Sequence, residues 1–245
     1  MANPLYDEIF GKHAGKSTPF LYTTDGACLG YDEFLALTAR LAHALVAAGL
    51  EPGERVAIQV AKSPQALALT VACVQAGVIL LPLNTAYTVP ELHYFIENSG
   101  AAMVVCDPAV RPALAPVAAA QGARLETLDT DGSGSLAYAA RGQPERFDTV
   151  PREIDDLAAF LYTSGTTGRS KGAMITQRNL LSNAQVLAQY WRFTARDVLL
   201  HALPIFHTHG LFVATNVIAL AGGSMIFLPK FDTDTVIDWL GGQPR

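Results

Sequence analysis

Charge is scarce in this sequence, and cysteine scarcer still. Asp, Glu, Lys and Arg make up 16% of the 245 residues and the formal net charge is −5, which excludes the basic footprint a nucleic-acid partner needs. The thiols are Cys28, Cys73 and Cys106. They lie far apart with no CxxC pairing, which excludes a disulfide framework, and their apolar neighbours predict small core residues in a protein of the reducing cytoplasm. Residues 1–8 offer neither a basic region nor an apolar run, so export is not expected. No internal repeat or long low-complexity tract interrupts the chain. One apolar run, residues 66–83, approaches the roughly 18-residue length of a membrane span, with Thr70 and Gln75 its clearly polar members. Gly77 divides it. Ser63 as N-cap and Pro64 at the first helical position predict a helix that Gly77 ends, then a short buried strand at 78–81, so no span is expected.

What the chain has in quantity is apolar residues, half of the total, enough to bury a large core. Phe34, Leu37, Leu41 and Leu45 share a helical face that Gly49 terminates, and residues 55–60 supply the next strand. Thr88 and Glu91 form a Thr-x-x-Glu capping box, with Tyr87 and Leu92 spaced as a hydrophobic staple, at the head of a helix over 89–98. Strands at 102–106 and 124–128 flank an alanine-rich helix at 109–120. Gly, Ser and charge become denser over 132–148, which predicts a first α/β subdomain, 1–150, and a second, 151–245. The second reads as strands at 156–163, 171–176, 198–203 and 224–228, with helices at 177–190, 211–220 and 233–240. Strands separated by helices predict parallel sheets flanked by crossover helices, an α/β fold.

The densest chemistry follows the strand at 156–163, in Thr163-Ser164-Gly165-Thr166-Thr167-Gly168-Arg169-Ser170-Lys171-Gly172. Glycines let the backbone turn so that successive N–H groups converge on an anion, Ser and Thr hydroxyls donate to phosphate oxygens, and Lys171 offsets their charge. A polyphosphate is the ligand this pattern predicts. A plain Ser/Thr/Gly turn is the alternative. The Walker pattern is absent, because it needs Gly directly before the lysine and Ser or Thr directly after it, where this chain has Ser170 and Gly172.

The segment resembles the signature loop of the adenylate-forming superfamily, which includes acyl- and aryl-CoA synthetases, luciferases and peptide-synthetase adenylation domains; many members carry proline where Ser170 stands. Two further segments extend the resemblance: Leu81-Pro82-Leu83-Asn84-Thr85-Ala86-Tyr87-Thr88 with Glu91, and Leu203-Pro204-Ile205-Phe206-His207-Thr208-His209-Gly210-Leu211. Within the superfamily, residues 84–87, 190–193 and 201–212 are most similar to malonyl-CoA synthetases. The resemblance implies two flavodoxin-like subdomains and two half-reactions. A carboxylic acid, malonate or in the alternative another short acid, attacks the α-phosphorus of ATP to give an acyl-adenylate and pyrophosphate; coenzyme A then takes the acyl group and releases AMP. It implies ATP contacts from Thr163, Ser164, Gly165, Thr166, Thr167, Gly168, Arg169, Ser170 and Lys171, with Ser164 helping to hold Mg²⁺. Lys171 and His207 would be catalytic, with His207 and His209 contacting the acid. The family's Thr-Glu motif for adenine and Mg²⁺, its ribose-binding Asp, its hinge, its C-terminal domain with a catalytic lysine, and the arginine expected to read malonate's second carboxylate have no counterpart in residues 1–245. The chain is therefore expected to be an N-terminal portion of a ligase, not fully active alone.

His207 and His209 carry other readings too. Two histidines two residues apart could begin a zinc site, yet His201 and His43 complete no recognisable ligand spacing. They could also be structural. Three functional classes remain open at this point: an AMP-forming acid–CoA ligase, a non-catalytic nucleotide-binding module, and a nucleoside-triphosphate hydrolase. The sequence sets no oligomeric state.

Overall fold

In the computed structural model, which describes residues 2–163 and 170–241, alternate residues of single strands go to opposite sides of one sheet. That sheet has six strands, in the order β6 (Arg124–Thr127), β5 (Met103–Cys106), β3 (Arg55–Gln59), β4 (Ile79–Pro82), β7 (Leu157–Thr163) and β8 (Lys171–Thr176). All neighbours are parallel except β7 and β8, which form an antiparallel pair. Val56, Ile58, Leu80, Met103 and Val105 join one apolar cluster, whereas Ala57, Leu81, Leu83, Val104 and Cys106 join another. Successive side chains of a strand point to opposite faces, so strands buried on both sides must be apolar throughout. Helices supply the two covers. α2 (Tyr31–Ala47) and α3 (Pro64–Gln75) pack in the first cluster through residues such as Phe34, Leu41, Leu67 and Leu69. α4 (Val89–Ser99) and α5 (Arg111–Ala120) pack in the second through Leu92, Phe95, Ile96 and Leu114.

A second sheet of four strands runs β2 (Cys28–Gly30), β1 (Pro19–Tyr22), β10 (Ser224–Phe227), β9 (Val198–His201). β9, β10 and β1 are mutually parallel and β2 is antiparallel to β1. α7 (Gln177–Trp191) and α8 (Asn216–Ala221) pack on one another and reach the first cluster through Leu180, Ala184 and Ile218. Segments on either side of residue 150 are interleaved in both sheets: β7 pairs with β4, and β10 pairs with β1. The division drawn at 150 therefore does not coincide with a division between sheets.

Local signals place most elements well. The Ser63 hydroxyl accepts from the Ala66 N–H at 3.1 Å, Pro64 opens α3, and the chain leaves the helix at Gly77, whose φ of +71 suits glycine. The near-membrane run of 66–83 is thus a helix and a strand, and among the described residues no helix is long and apolar enough to cross a membrane. Glu91 accepts from both the N–H and hydroxyl of Thr88, at 2.8 and 2.7 Å, and starts α4. The segment expected as one helix over 211–220 instead begins as a π-helical turn, His209–Thr215, before α8. Short elements went unread: α1 (Pro4–Ile9), β1, β2 and α6 (Ser135–Ala140) span three to six residues each, too few to establish a period. One expectation is corrected. Cys73 and Cys106 are buried, but Cys28 is exposed, because it opens a three-residue strand at the sheet edge.

Candidate active site

Parallel strands direct their carboxyl ends to one side of a sheet, and ligands of α/β folds bind in the crevice there. At that side the ends of β4 and β7, with the segment that follows β9 of the second sheet, surround a pocket of about 340 Å³. β4 runs out into Pro82, Leu83 and Asn84, with Tyr87 beyond; β7 ends in Leu161, Tyr162 and Thr163; and the segment after β9 contributes Phe206, His207 and Thr208. Larger hollows lie elsewhere, one of 560 Å³ around Thr24–Gly26 and Leu228–Trp239 and one of 910 Å³ beside α1 and α2. Neither gathers residues from the three motif segments, whereas the smaller pocket takes its walls from all of them.

The first wall is fixed from below. Gln59, buried at the end of β3, donates its amide to the carbonyls of Asn84 at 3.2 Å and Tyr87 at 3.4 Å. The Asn84 side chain accepts from the Ala86 N–H at 2.9 Å, an Asx turn that brings Tyr87 over the pocket. Tyr87 then packs on Phe95 of α4, with ring centroids 4.8 Å apart.

The second wall is the β7–β8 hairpin, whose two feet are both tied to α4. Tyr162 donates to the Asn98 side chain at 2.6 Å and stacks obliquely on Phe95 at 4.4 Å. Tyr94, one helical turn before Asn98, donates to the Ser170 carbonyl at 3.0 Å. Burial, and then the neighbouring Tyr94, push the Tyr162 phenol up to about 12, so near neutral pH it is a hydrogen-bond donor rather than an acid. Thr163 pairs with Lys171 across the hairpin, its hydroxyl 3.4 Å from the Lys171 carbonyl. Ser164, Gly165, Thr166, Thr167, Gly168 and Arg169 lie outside the described residues. Thr163 lines the pocket, Ser170 is half-buried beside Tyr94, and Lys171 stands exposed at the first position of β8.

The third wall folds back on itself. Gly210 sits so close to Pro204 that a Cβ would come within 2.1 Å of the Pro204 carbonyl oxygen, a contact no other residue could make. The Leu211 N–H donates to the His207 carbonyl at 3.0 Å, and the His209 N–H donates to His207 Nδ1 at 3.3 Å. That bond leaves the His207 proton on Nε2. The two imidazoles are stacked with nearly parallel planes, 18° apart, and centroids at 5.3 Å. His207 faces the pocket, while His209 is exposed outside its lining. Sequence reasoning missed Gln59, Tyr94 and Asn98, because each acts through a partner distant in sequence, although the run of aromatics in α4 was visible.

Comparison with known proteins gives the family. The profile of the AMP-binding enzyme family matches residues 11–241. A feruloyl-CoA synthase from Amycolatopsis sp is 35% identical over 212 residues, 86% of this chain and 41% of that protein. A malonate–CoA ligase from Arabidopsis thaliana is 28% identical over 186 residues, 75% of this chain and 31% of that protein. The crystal structure of ATP-bound MatB from Rhodopseudomonas palustris is 53% identical with a TM-score of 0.95, covering 99% of this chain and 48% of that one. The chain spans about half the length of that structure and less of the curated relatives it matches.

Proposed function

The chain belongs to the AMP-binding enzyme family, and from that premise we propose that it carries the ATP- and acid-binding part of an AMP-forming acid–CoA ligase whose acid is malonate. The observation that carries the proposal is the convergence of Thr163, Asn84, Tyr87 and His207 on one pocket, at the carboxyl ends of the parallel neighbours β4 and β7 and beside the segment that follows β9. Malonate is supported by the sequence similarity to malonyl-CoA synthetases and by the malonate–CoA ligase among the relatives.

In the first half-reaction a carboxylate oxygen of the acid bonds to the α-phosphorus of ATP, the bond from that phosphorus to the bridging oxygen breaks, and pyrophosphate leaves with the electron pair. The hairpin's hydroxyls and Lys171 would meet the β- and γ-phosphates, where fixed donors stabilise the growing charge without reorganising water. The pocket beside Thr163 would hold the carboxylate in line, lowering the barrier by proximity. In the second half-reaction the sulfur of coenzyme A attacks the acyl carbonyl and AMP departs. His207, with its proton on Nε2, would act as a hydrogen-bond donor to acyl or thiol at the pocket mouth. Among the described residues no group of three or more His, Cys, Asp or Glu could hold a metal ion. Ser164 would help hold Mg²⁺, as the family resemblance implies, and the ion would supply charge neutralisation when bound.

The deciding measurement is malonate-dependent exchange of labelled pyrophosphate into ATP, made with the chain joined to the remainder of the family's length. Exchange with malonate well above that with acetate or ferulate is the expected result; exchange indifferent to every carboxylate sinks the ligase reading.

A further inference from the structure

Beneath the loop that carries His207 lies a lysine that none of the motifs includes. Lys62, in the turn between β3 and α3, donates to His201 Nδ1 at 2.8 Å and to the His201 carbonyl at 2.7 Å. Its ammonium also lies 4.2 Å from the centroid of the Phe227 ring. Among the described residues it makes no ion pair, and burial pushes its pKa down to about 7. A buried lysine without a carboxylate is costly. An apolar residue would fill the same space at lower cost, so the donors it contributes need a use.

The bonds around His201 supply one. Because Nδ1 accepts from Lys62, the ring proton must sit on Nε2, and Nε2 donates to the Gly210 carbonyl at 2.9 Å. The Thr215 hydroxyl donates to the same oxygen at 3.0 Å. Gly210 is the residue pressed against the Pro204 carbonyl, so this one peptide closes the base of the loop from 204 to 210. A compact ammonium with three donors can hold a ring nitrogen and a carbonyl at once, and the Phe227 face offsets part of its desolvation. Burial first, and then the Lys62 charge, hold the His201 imidazole down to about 4, so it stays neutral and keeps its donor toward Gly210.

We propose that Lys62 is a positioning residue for the acid-binding loop: by fixing the tautomer and ring plane of His201 it sets where the Gly210 peptide, and with it His207, stands over the pocket. The proposal rests on the ligase reading only for the identity of what the pocket binds.

Nitrogen-15 spectra of the histidine-labelled 245-residue chain test it without any assay of activity. Wild-type His201 should be the Nε2–H tautomer with an Nδ1 that accepts a hydrogen bond; an Nδ1–H tautomer overturns the proposal before any variant is made. Lys62→Met keeps the aliphatic stem and removes the donors. It should move the His207 and His209 ring signals while those of His93 stay in place, and unmoved His207 signals at an unchanged Tm overturn the proposal. If that variant does not fold, Phe227→Leu removes the ring that packs on both the Lys62 ammonium and, at 5.2 Å, the His201 imidazole, and should displace the same signals by less; stationary His207 signals count against it again. Joined to the remainder of the family's length, Lys62→Met should raise KM for the acid about tenfold while KM for ATP stays within about twofold. Equal losses in both, tracking Tm, would make the residue merely structural. A wild-type protein that shows the tautomer and the coupled shifts, but no acid-dependent exchange, removes the ligase reading and leaves the positioning role standing.

Discussion

β4 and β7 are neighbours in one sheet, yet they are held in place by different physics. All four residues of β4 are buried, sealed by α3 on one face and α4 on the other. In β7 only Ala158 and Ala159 are buried, and its partner β8 leaves Lys171, Gly172 and Met174 exposed. Packing secures the first strand. The second depends on tethers, the hydrogen bonds from Tyr94 and Tyr162 that fasten both feet of the hairpin to α4. The arrangement separates two jobs: the sheet centre supplies stability, while its edge presents polar groups that could not be buried without partners.

Changes at the two strands should accordingly fail in different ways. Leu80→Ala in β4 removes a fully buried side chain and leaves a cavity, costing about 3 kcal/mol of stability within a range of roughly 2–5. Urea unfolding should show a lower midpoint. Any ATP binding by the folded fraction should be unaltered; a variant that loses ATP affinity at full stability would erase the distinction between centre and edge. Lys171→Ala is the converse. It should lower pyrophosphate exchange by about 10²-fold, equivalent to about 2.7 kcal/mol, as for other groups that stabilise developing charge, with Tm essentially unmoved. Matching losses of Tm and exchange would place Lys171 in the scaffold.

The division explains what could be read from the chain alone. β3 to β6 and their helices were legible because two-sided burial writes itself as apolar runs punctuated by Gly77 and by caps at Ser63 and Thr88. The loop was legible for the opposite reason, since Gly, Ser, Thr and Lys are too dense there for ordinary packing. The supports between them were not. Gln59, Lys62 and Tyr94 each hold a backbone carbonyl 25 to 139 positions away, and no local period signals such a partner. The antiparallel turn of β8 and the interleaving of the two sheets across residue 150 were hidden likewise, because strand order depends on which buried faces meet, not on the composition of the link.

A third kind of place, buried but polar, lies at the end of β9. His201 has its pKa held down to about 4 by burial and by Lys62, below the 6.5 of a free imidazole. Between those values the unfolded chain binds the extra proton, so stability should fall as pH drops from 6.5 toward 4, by an amount on the order of 3 kcal/mol. Lys62, held down to about 7 from 10.5, has the same sign in its own window: stability should rise from pH 7 toward 10.5. Tm measured across pH should slope upward in both ranges. In His201→Gln the acid slope should flatten; a slope unaltered by that change would assign it to other groups.

The smallest expected effect gives the sharpest test of the tethered edge. Tyr94→Phe keeps the ring that packs on Phe95 and Tyr162 and deletes one hydroxyl, leaving the Ser170 carbonyl to be solvated by water because the hairpin foot is only half-buried. Such a bond contributes about 1 kcal/mol. If it served folding, the loss would appear in the urea midpoint. If it holds the hairpin foot ready for phosphate, the urea midpoint should barely change and ATP affinity should fall about fivefold, since the foot must then be ordered at the expense of binding. Asn98→Ala, which releases the other foot, should act in the same direction. The double variant should lose less than the product of the two single losses, because feet joined through one hairpin are not independent; full multiplicativity would mean that α4 touches the loop without controlling it.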